Sequence, residues 1–85
     1  MIEALEHLKT AKEKVVGVKQ VQKAVQKGLV EVVYMAADAE PHVLKSLKQL
    51  CAEQQVAVVA VPSMAELGKA AGIQVGSATV AVLKA

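Results

Sequence analysis

The 85-residue chain has no tryptophan, phenylalanine or arginine, and Tyr34 is its only aromatic residue. Without aromatic side chains, a platform that stacks the bases of a single strand is disfavoured. Without arginine, the bidentate guanidinium contact with a phosphate or a guanine edge is excluded. The single cysteine, Cys51, cannot form an internal disulfide, which is typical of a reducing compartment. We therefore predict a cytoplasmic protein.

Long apolar runs are also missing, since none approaches the roughly 20 residues of a membrane-spanning helix. The first stretch, MIEALEHLKT, is acidic and amphipathic. We accordingly expect neither a secretion signal nor a membrane partner. What the chain does contain is aliphatic: hydrophobic residues make up 54% of it, mostly valine and alanine. That content is sufficient for a packed core without disulfides or metals, so we predict one domain over residues 1–85.

Helix-like and strand-like hydrophobic patterns alternate along the chain. The pattern predicts a brief strand and then a turn in VVGV, buried strands in LVEVVYMA and VAVVAV, and a last strand in SATVAVLKA. Helical spacing predicts helices in the intervening segments, over residues 2–14, 19–27, 42–54 and 62–72. The alternation predicts an α/β fold, a three-layer α/β/α sandwich with a central mixed four-stranded sheet.

Individual residues predict where several of the helices begin and end. Gly28 and Gly72 are natural helix terminators, and Pro41 suits the first turn of a helix. Ser63 followed by Glu66 forms a capping box, in which each side chain bonds an orphan backbone N–H of the other.

Groups able to perform catalysis or bind metal are scarce. His7 and His42 have no metal-ligating partner at a suitable spacing, and Cys51 lies on an inward helix face as a structural thiol. Asp38 and Glu40 could form a carboxylate pair, but acids before a helix start need no catalytic explanation. GKAAGIQVG lacks the spacing of a phosphate-binding loop. We therefore predict no catalytic residue, no metal site and no cofactor; an enzyme with an unrecognised site is the least supported reading.

Positive charge is concentrated in one segment. Residues 9–27 contain six lysines and one acid, Glu13, for a net +5, whereas residues 1–8 carry −2 and residues 28–85 carry −1. This asymmetry indicates a polyanionic partner, and the alternative is a solvated helix face. On a helical wheel, one side carries Lys19, Lys23 and Lys27, with Gln20 beside them. The opposite side carries Val18, Val21 and Val25. Ammonium groups, an amide and a bare helix start after Gly17 are typical of recognition of a structured RNA by its shape.

Four stretches, VVGVKQVQKAVQKG, VYMAADAEP, the LC pair at Leu50 and Cys51, and LGKAAGIQVG, resemble the kink-turn-binding ribosomal proteins of the L-seven-Ae/L-thirty-e family. The similarity, closest to short bacterial members, runs from about residue 12 to the C-terminus. The resemblance implies the same α/β/α fold. It also implies binding to a kink-turn, a bulge between two stems followed by tandem sheared G·A pairs that bend the duplex sharply.

The family motif Gly-x-Asn-Glu-x-x-x-Lys falls, with some variation in spacing, on the residues after the first strand. The resemblance assigns RNA contacts there to Gly17, Val18, Lys19, Gln20, Lys23 and Lys27. Lys19 and Gln20 replace the family's Asn-Glu pair, and Lys27 stands where arginine is common. Gln20 therefore lacks the strength of a charged acceptor, so we expect weaker and more electrostatic binding.

A second family element covers the flipped bulge nucleotide with apolar and backbone contacts. The resemblance places it at Val61, Pro62 and Ser63, with Glu40 bordering the same pocket. Pro62 stiffens this loop and removes one N–H donor. The function implied is a non-enzymatic, monomeric RNA-binding protein acting on ribosomal or riboswitch RNA, with the ribosome as one candidate partner. A protein–protein interaction module on the same fold is the alternative.

Overall fold

The computed structural model describes residues 13–73 and 76–84. Its helices and strands follow the predicted alternation: β1 (Lys14–Val16), α1 (Val18–Gln26), β2 (Val30–Ala36), α2 (Pro41–Glu53), β3 (Ala57–Val61), α3 (Met64–Ala70) and β4 (Thr79–Leu83). The helix predicted over residues 2–14 lies, but for its last two positions, outside the described residues, as does His7. Lys14, at the end of that prediction, belongs to β1 instead.

The four strands form one mixed sheet in the order β1-β4-β2-β3. β4 runs antiparallel to both β1 and β2, whereas β2 and β3 are parallel. As a result β1, β2 and β3 end where β4 begins, which we call the site edge; it is marked by Val16, Ala36, Val61 and Thr79. Each helix follows the end of a strand, so all three helices begin at this edge.

The sheet separates two apolar clusters, which confirms the three-layer sandwich. On one face, α1 and α2 contribute Val21, Val25, Leu47 and Cys51, which pack with Val33. On the other face, α3 covers a second cluster that includes Leu67, Tyr34, Val80 and Val82. Because β2 is buried on both faces, its sequence is almost continuously apolar.

Residues 56–61 are predicted to form a buried strand. The strand is present over Ala57–Val61, but most of it is not buried, so that part of the prediction is wrong. β3 has the expected position in the chain, but among the described residues it lies at the end of the sheet and pairs with β2 alone. Ala57 and Ala60 are exposed, and Val58 keeps 37% of its surface accessible. An apolar run of this length does not distinguish an edge strand from a central one, because the strand order depends on tertiary pairing.

All three helices end in the same way, with a residue at positive φ after the last turn. Gly28 and Gly72, at φ 73° and 81°, end α1 and α3 as predicted. After each, the next N–H bonds a carbonyl five residues back, from Leu29 to Ala24 and from Ile73 to Gly68. This pattern is the Schellman motif. α2 ends identically but with Gln55 at φ 58°, a position where the sequence gives no glycine signal.

The Gln55→Gly substitution should stabilise the protein. A left-handed conformation costs an L-residue about 1–2 kcal/mol, which exceeds the roughly 0.5–1 kcal/mol of extra chain entropy lost by glycine. We expect a gain of about 0.5–1 kcal/mol, or about 3–6 °C in Tm. Thermal unfolding followed by circular dichroism measures it. Gln54→Gly is the matched control, because Gln54 has a negative φ of −96° and should show no gain.

The Cys51 thiol should be protected by the fold and should make stability depend on pH. Its side chain is fully buried, and burial raises the pKa of the thiol above its usual value. Folding therefore favours the protonated form, and the free energy of unfolding should fall as pH rises above the unfolded pKa of about 8.5. Urea titrations between neutral and alkaline pH test this sign. Cys51→Ala should flatten the decline, and an equal decline in this variant would contradict the assignment.

Candidate nucleic-acid interface

Three connections are bound together at the site edge by backbone hydrogen bonds. Gly17 N–H donates to the Thr79 carbonyl at 3.1 Å, which ties the β1–α1 turn to the start of β4. Ala36 N–H donates to the Ala78 carbonyl at 2.9 Å. Ala37 N–H donates to the Val61 carbonyl at 2.7 Å, joining the ends of β2 and β3. The loops that carry the predicted site residues thus form one continuous rim.

Gly17 makes the turn from β1 into α1 with a backbone that favours glycine. Its φ of 103° and ψ of 149° lie in a region that L-residues rarely adopt. A Cβ built at Gly17 meets no atom within 4 Å, so conformation and not crowding demands glycine here. Gly17 itself is half-buried, with its N–H already bonded to Thr79.

The start of α1 offers backbone donors without a competing acid. Gly17 is the N-cap and has no side chain to cap the helix, and the first turn of α1, all of which is described, contains no acidic residue. The first N–H groups of a helix lack intrahelical partners and carry the positive end of the helix dipole. This geometry suits an anion such as a phosphate.

The exposed side of α1 is basic, and its other side is apolar. Val21 and Val25 are fully buried and Val18 is half-buried. On the exposed side lie Gln20 and the lysine face, which we define as Lys19, Lys23 and Lys27. Neighbouring lysines lie about one turn apart, so the face extends about 12 Å along the helix from the site edge.

The second group of predicted residues lies across the rim. Glu40 is exposed and is the N-cap of α2, where its carbonyl accepts the Val43 and Leu44 N–H groups. Pro62 is exposed, whereas Ser63 is half-buried with its hydroxyl accepting the Glu66 N–H at 3.1 Å. This bond confirms that Ser63 caps α3. The Ser63 hydroxyl is therefore already engaged within the protein.

Val61 differs from its neighbours in having no accessible side chain. It is 2% exposed and belongs to the apolar cluster under α3, and its carbonyl accepts the Ala37 N–H. The buried Val61 side chain cannot provide the apolar contact that the resemblance implies for this loop, whereas the implied backbone contact stays a prediction. Val61 instead anchors the loop in the core.

Sequence reasoning did not connect two residues of this rim, Met64 and Asp38, and considered Asp38 only as part of a carboxylate pair with Glu40. The Asp38 carboxylate accepts the Met64 N–H at 2.8 Å, across 26 residues of sequence, so no local pattern could indicate the bond. Met64 keeps 36% of its surface accessible, two residues after Pro62 in the chain. Helical spacing gave no signal for this exposure, because Met64 lies three residues before the buried Leu67 and so on the same side of α3.

Among residues 13–73 and 76–84, no three His, Cys, Asp or Glu side chains come together as metal ligands. Burial, together with the nearby Glu31 charge, raises the pKa of the Tyr34 hydroxyl, which lies in the core. None of the helices within the described residues is long and apolar enough to cross a membrane.

Comparisons with known proteins agree with this architecture. The chain is 48% identical over 68 residues to an RNA-binding protein of Caldanaerobacter subterraneus, covering 80% of this chain and 83% of that protein. It is 42% identical over 79 residues to an RNA-binding protein of Halalkalibacterium halodurans, covering 93% and 96% of the two chains. The solved structure of a 15.5kD RNA binding protein from Giardia lamblia superposes with a TM-score of 0.88 at 28% identity, covering 99% and 73% of the chains.

The match to a family is equally extensive. Residues 1–85 match the family described as ribosomal protein L7Ae/L30e/S12e/Gadd45. This agrees with the resemblance found in the motifs around Gly17 and Glu40. The chain belongs to the ribosomal protein L7Ae/L30e/S12e/Gadd45 family.

Proposed function

We propose that this protein binds RNA and recognises kink-turns, using α1 and the rim at the site edge. The observation that carries the proposal is a juxtaposition. The uncapped start of α1, with Gln20 and the lysine face, lies at the same edge as the loop formed by Pro62, Ser63 and Met64. RNA binding is also what the names of two bacterial relatives and of the Giardia structure describe.

The lysine face would supply most of the affinity. Lys19, Lys23 and Lys27 are exposed and lie about one turn apart, a spacing at which like charges repel by a few tenths of a kcal/mol per pair. Phosphates placed between the ammonium groups remove that repulsion and release condensed counterions. The open space beside Gly17 lets a phosphate reach the first N–H groups of α1.

Gln20 would provide recognition of bases. Its exposed amide both donates and accepts hydrogen bonds, so it can pair with the edge of a guanine in a sheared G·A pair. Because the amide is neutral, each bond is weaker than that of a carboxylate acceptor. Base preference should therefore contribute less than phosphate binding.

The bulge nucleotide would lie across the rim, between Glu40 and Pro62. Both are exposed and border the site edge, and Val61 fixes the loop from beneath. We further propose a single, monomeric, cytoplasmic domain over residues 1–85 that acts without catalysis. Ribosomal or riboswitch RNA is its proposed target, with the ribosome as one candidate partner.

Titration of a kink-turn duplex tests the electrostatic half of the proposal. If three phosphates are neutralised, log K should fall against log salt with a slope of about −2 to −3. Lys23→Ala should weaken binding and reduce the slope by about one. Lys69→Ala is the charge-matched control, because Lys69 is exposed on α3, which covers the opposite face of the sheet. Equal effects of the two substitutions would contradict a role for the lysine face.

Replacement of the G·A pairs with Watson–Crick pairs tests shape and base recognition. The wild-type protein should bind the altered duplex much more weakly, and equal affinity would overturn kink-turn recognition. Gln20→Ala should reduce the preference for G·A pairs by about tenfold, the scale of one base contact, with the salt slope unchanged. Gln26→Ala, an exposed amide at the far end of α1, is the control and should leave the preference intact.

An interaction module for another protein is the second candidate, because β3 exposes apolar residues. Ala57, Val58 and Ala60 are accessible at the edge of the sheet. Such a module would leave the lysine face solvated. Hydrogen exchange separates the two functions: kink-turn RNA should protect amides between Gly17 and Lys23 if the proposal is right.

A further inference from the structure

We infer that Asp38 is a positioning residue for the bulge-nucleotide pocket, acting through Met64. The inference rests on the proposed function and adds two residues to the site. Asp38 Oδ1 lies 2.8 Å from the Met64 nitrogen and accepts its N–H. Met64, 36% of whose surface is accessible, follows the exposed Pro62 by two residues at the site edge.

Met64 is held from two sides, which makes it a fixed point of the rim. Its N–H donates to Asp38 in the β2–α2 loop, and its carbonyl accepts the Ser77 N–H at 3.1 Å. A Cβ added to Gly76 would lie 3.3 Å from three Met64 atoms, so the backbone of the loop before β4 packs directly against it. Three connections of the site edge therefore converge on this residue.

The Asp38 bond does more than begin a helix. The start of α3 is already capped by Ser63, whose hydroxyl accepts the Glu66 N–H. The Asp38 bond instead joins two loops on the two sides of the pocket, since Glu40 lies two residues after Asp38 and Pro62 two residues before Met64. Buried Ala39 holds the backbone between Asp38 and Glu40 against the core. The Asp38 bond thereby ties the loop that carries Glu40 to the loop that carries Pro62.

The Met64 side chain suits a nucleobase that has left its stack. A thioether is polarisable and makes favourable contacts with aromatic rings. The neighbouring apolar surface is supplied by Pro62, because Val61 is buried. The pocket would then have an apolar side formed by Pro62 and Met64 and a polar side formed by Glu40.

The test uses two kink-turn duplexes that differ only at the bulge, one with the base and one abasic at the same nucleotide. The wild-type protein should prefer the duplex with the base. Asp38→Ala should reduce this preference by about tenfold, the scale of one charge-assisted hydrogen bond, because the loop loses its tie. Asp38→Asn keeps an acceptor oxygen and should retain most of the preference.

Two further measurements separate positioning from a general loss of structure. In Asp38→Ala, the salt slope and the preference for G·A pairs should match the wild type, since the lysine face and Gln20 lie on α1. Met64→Ala keeps the backbone N–H and should also reduce the preference for the base, whereas Met64→Leu should restore most of it. This pair tests the inference even if Asp38→Ala does not fold.

The outcomes that overturn the inference differ from those that overturn the proposed function. A wild-type protein that ignores G·A disruption refutes kink-turn recognition. A wild-type protein that recognises G·A pairs but not the bulge base refutes the pocket. Unchanged base preference in folded Asp38→Ala, or in Met64→Ala, refutes the roles of these residues. A parallel loss of base preference and of salt slope in Asp38→Ala would show a purely structural role.

Discussion

The pairing of β4 between β1 and β2 is the interaction on which the rest of the structure depends. Because β4 runs antiparallel to both, its first residues meet the ends of its neighbours, with Val80 opposite Val16 and Thr79 opposite Met35. The hydrogen bond from Gly17 to Thr79 exists only in this arrangement. The start of α1 and the loops after β2 and β3 consequently lie along one edge, although they are far apart in sequence.

Features encoded by neighbouring residues were predictable, and those that depend on tertiary pairing were not. The helix ends at Gly28 and Gly72 and the cap at Ser63 could be predicted, because each depends on residues within one turn of helix. The exposed edge position of β3 was not, since VAVVAV has the composition of a central strand. Gln55 also escaped prediction, because a non-glycine residue at positive φ leaves no compositional signal.

The same distinction between local and tertiary features applies to the residues of the candidate site. The lysine face and Gln20 follow from helical spacing in α1, so the sequence alone sufficed to group them. The rim of the proposed pocket is assembled from separate loops, and its contacts could be known only from the fold. The burial of Val61 within the predicted loop and the bond that joins Asp38 to Met64 across 26 residues both depend on the fold.

The three described helices begin at one edge of the sheet, so the positive ends of their dipoles lie together there. Each helix dipole has its positive end at its first turn, so α1, α2 and α3 add their fields at the site edge and place their negative ends at the opposite side. The lysine face begins at that same positive end. Carboxylates at the same edge, from Asp38, Glu40 and Glu66, oppose the positive ends of α2 and α3, whereas the first turn of α1 contains no acid. The edge is therefore polar along its length, positive at α1 and negative at the starts of α2 and α3, and the net charge of +2 conceals this separation.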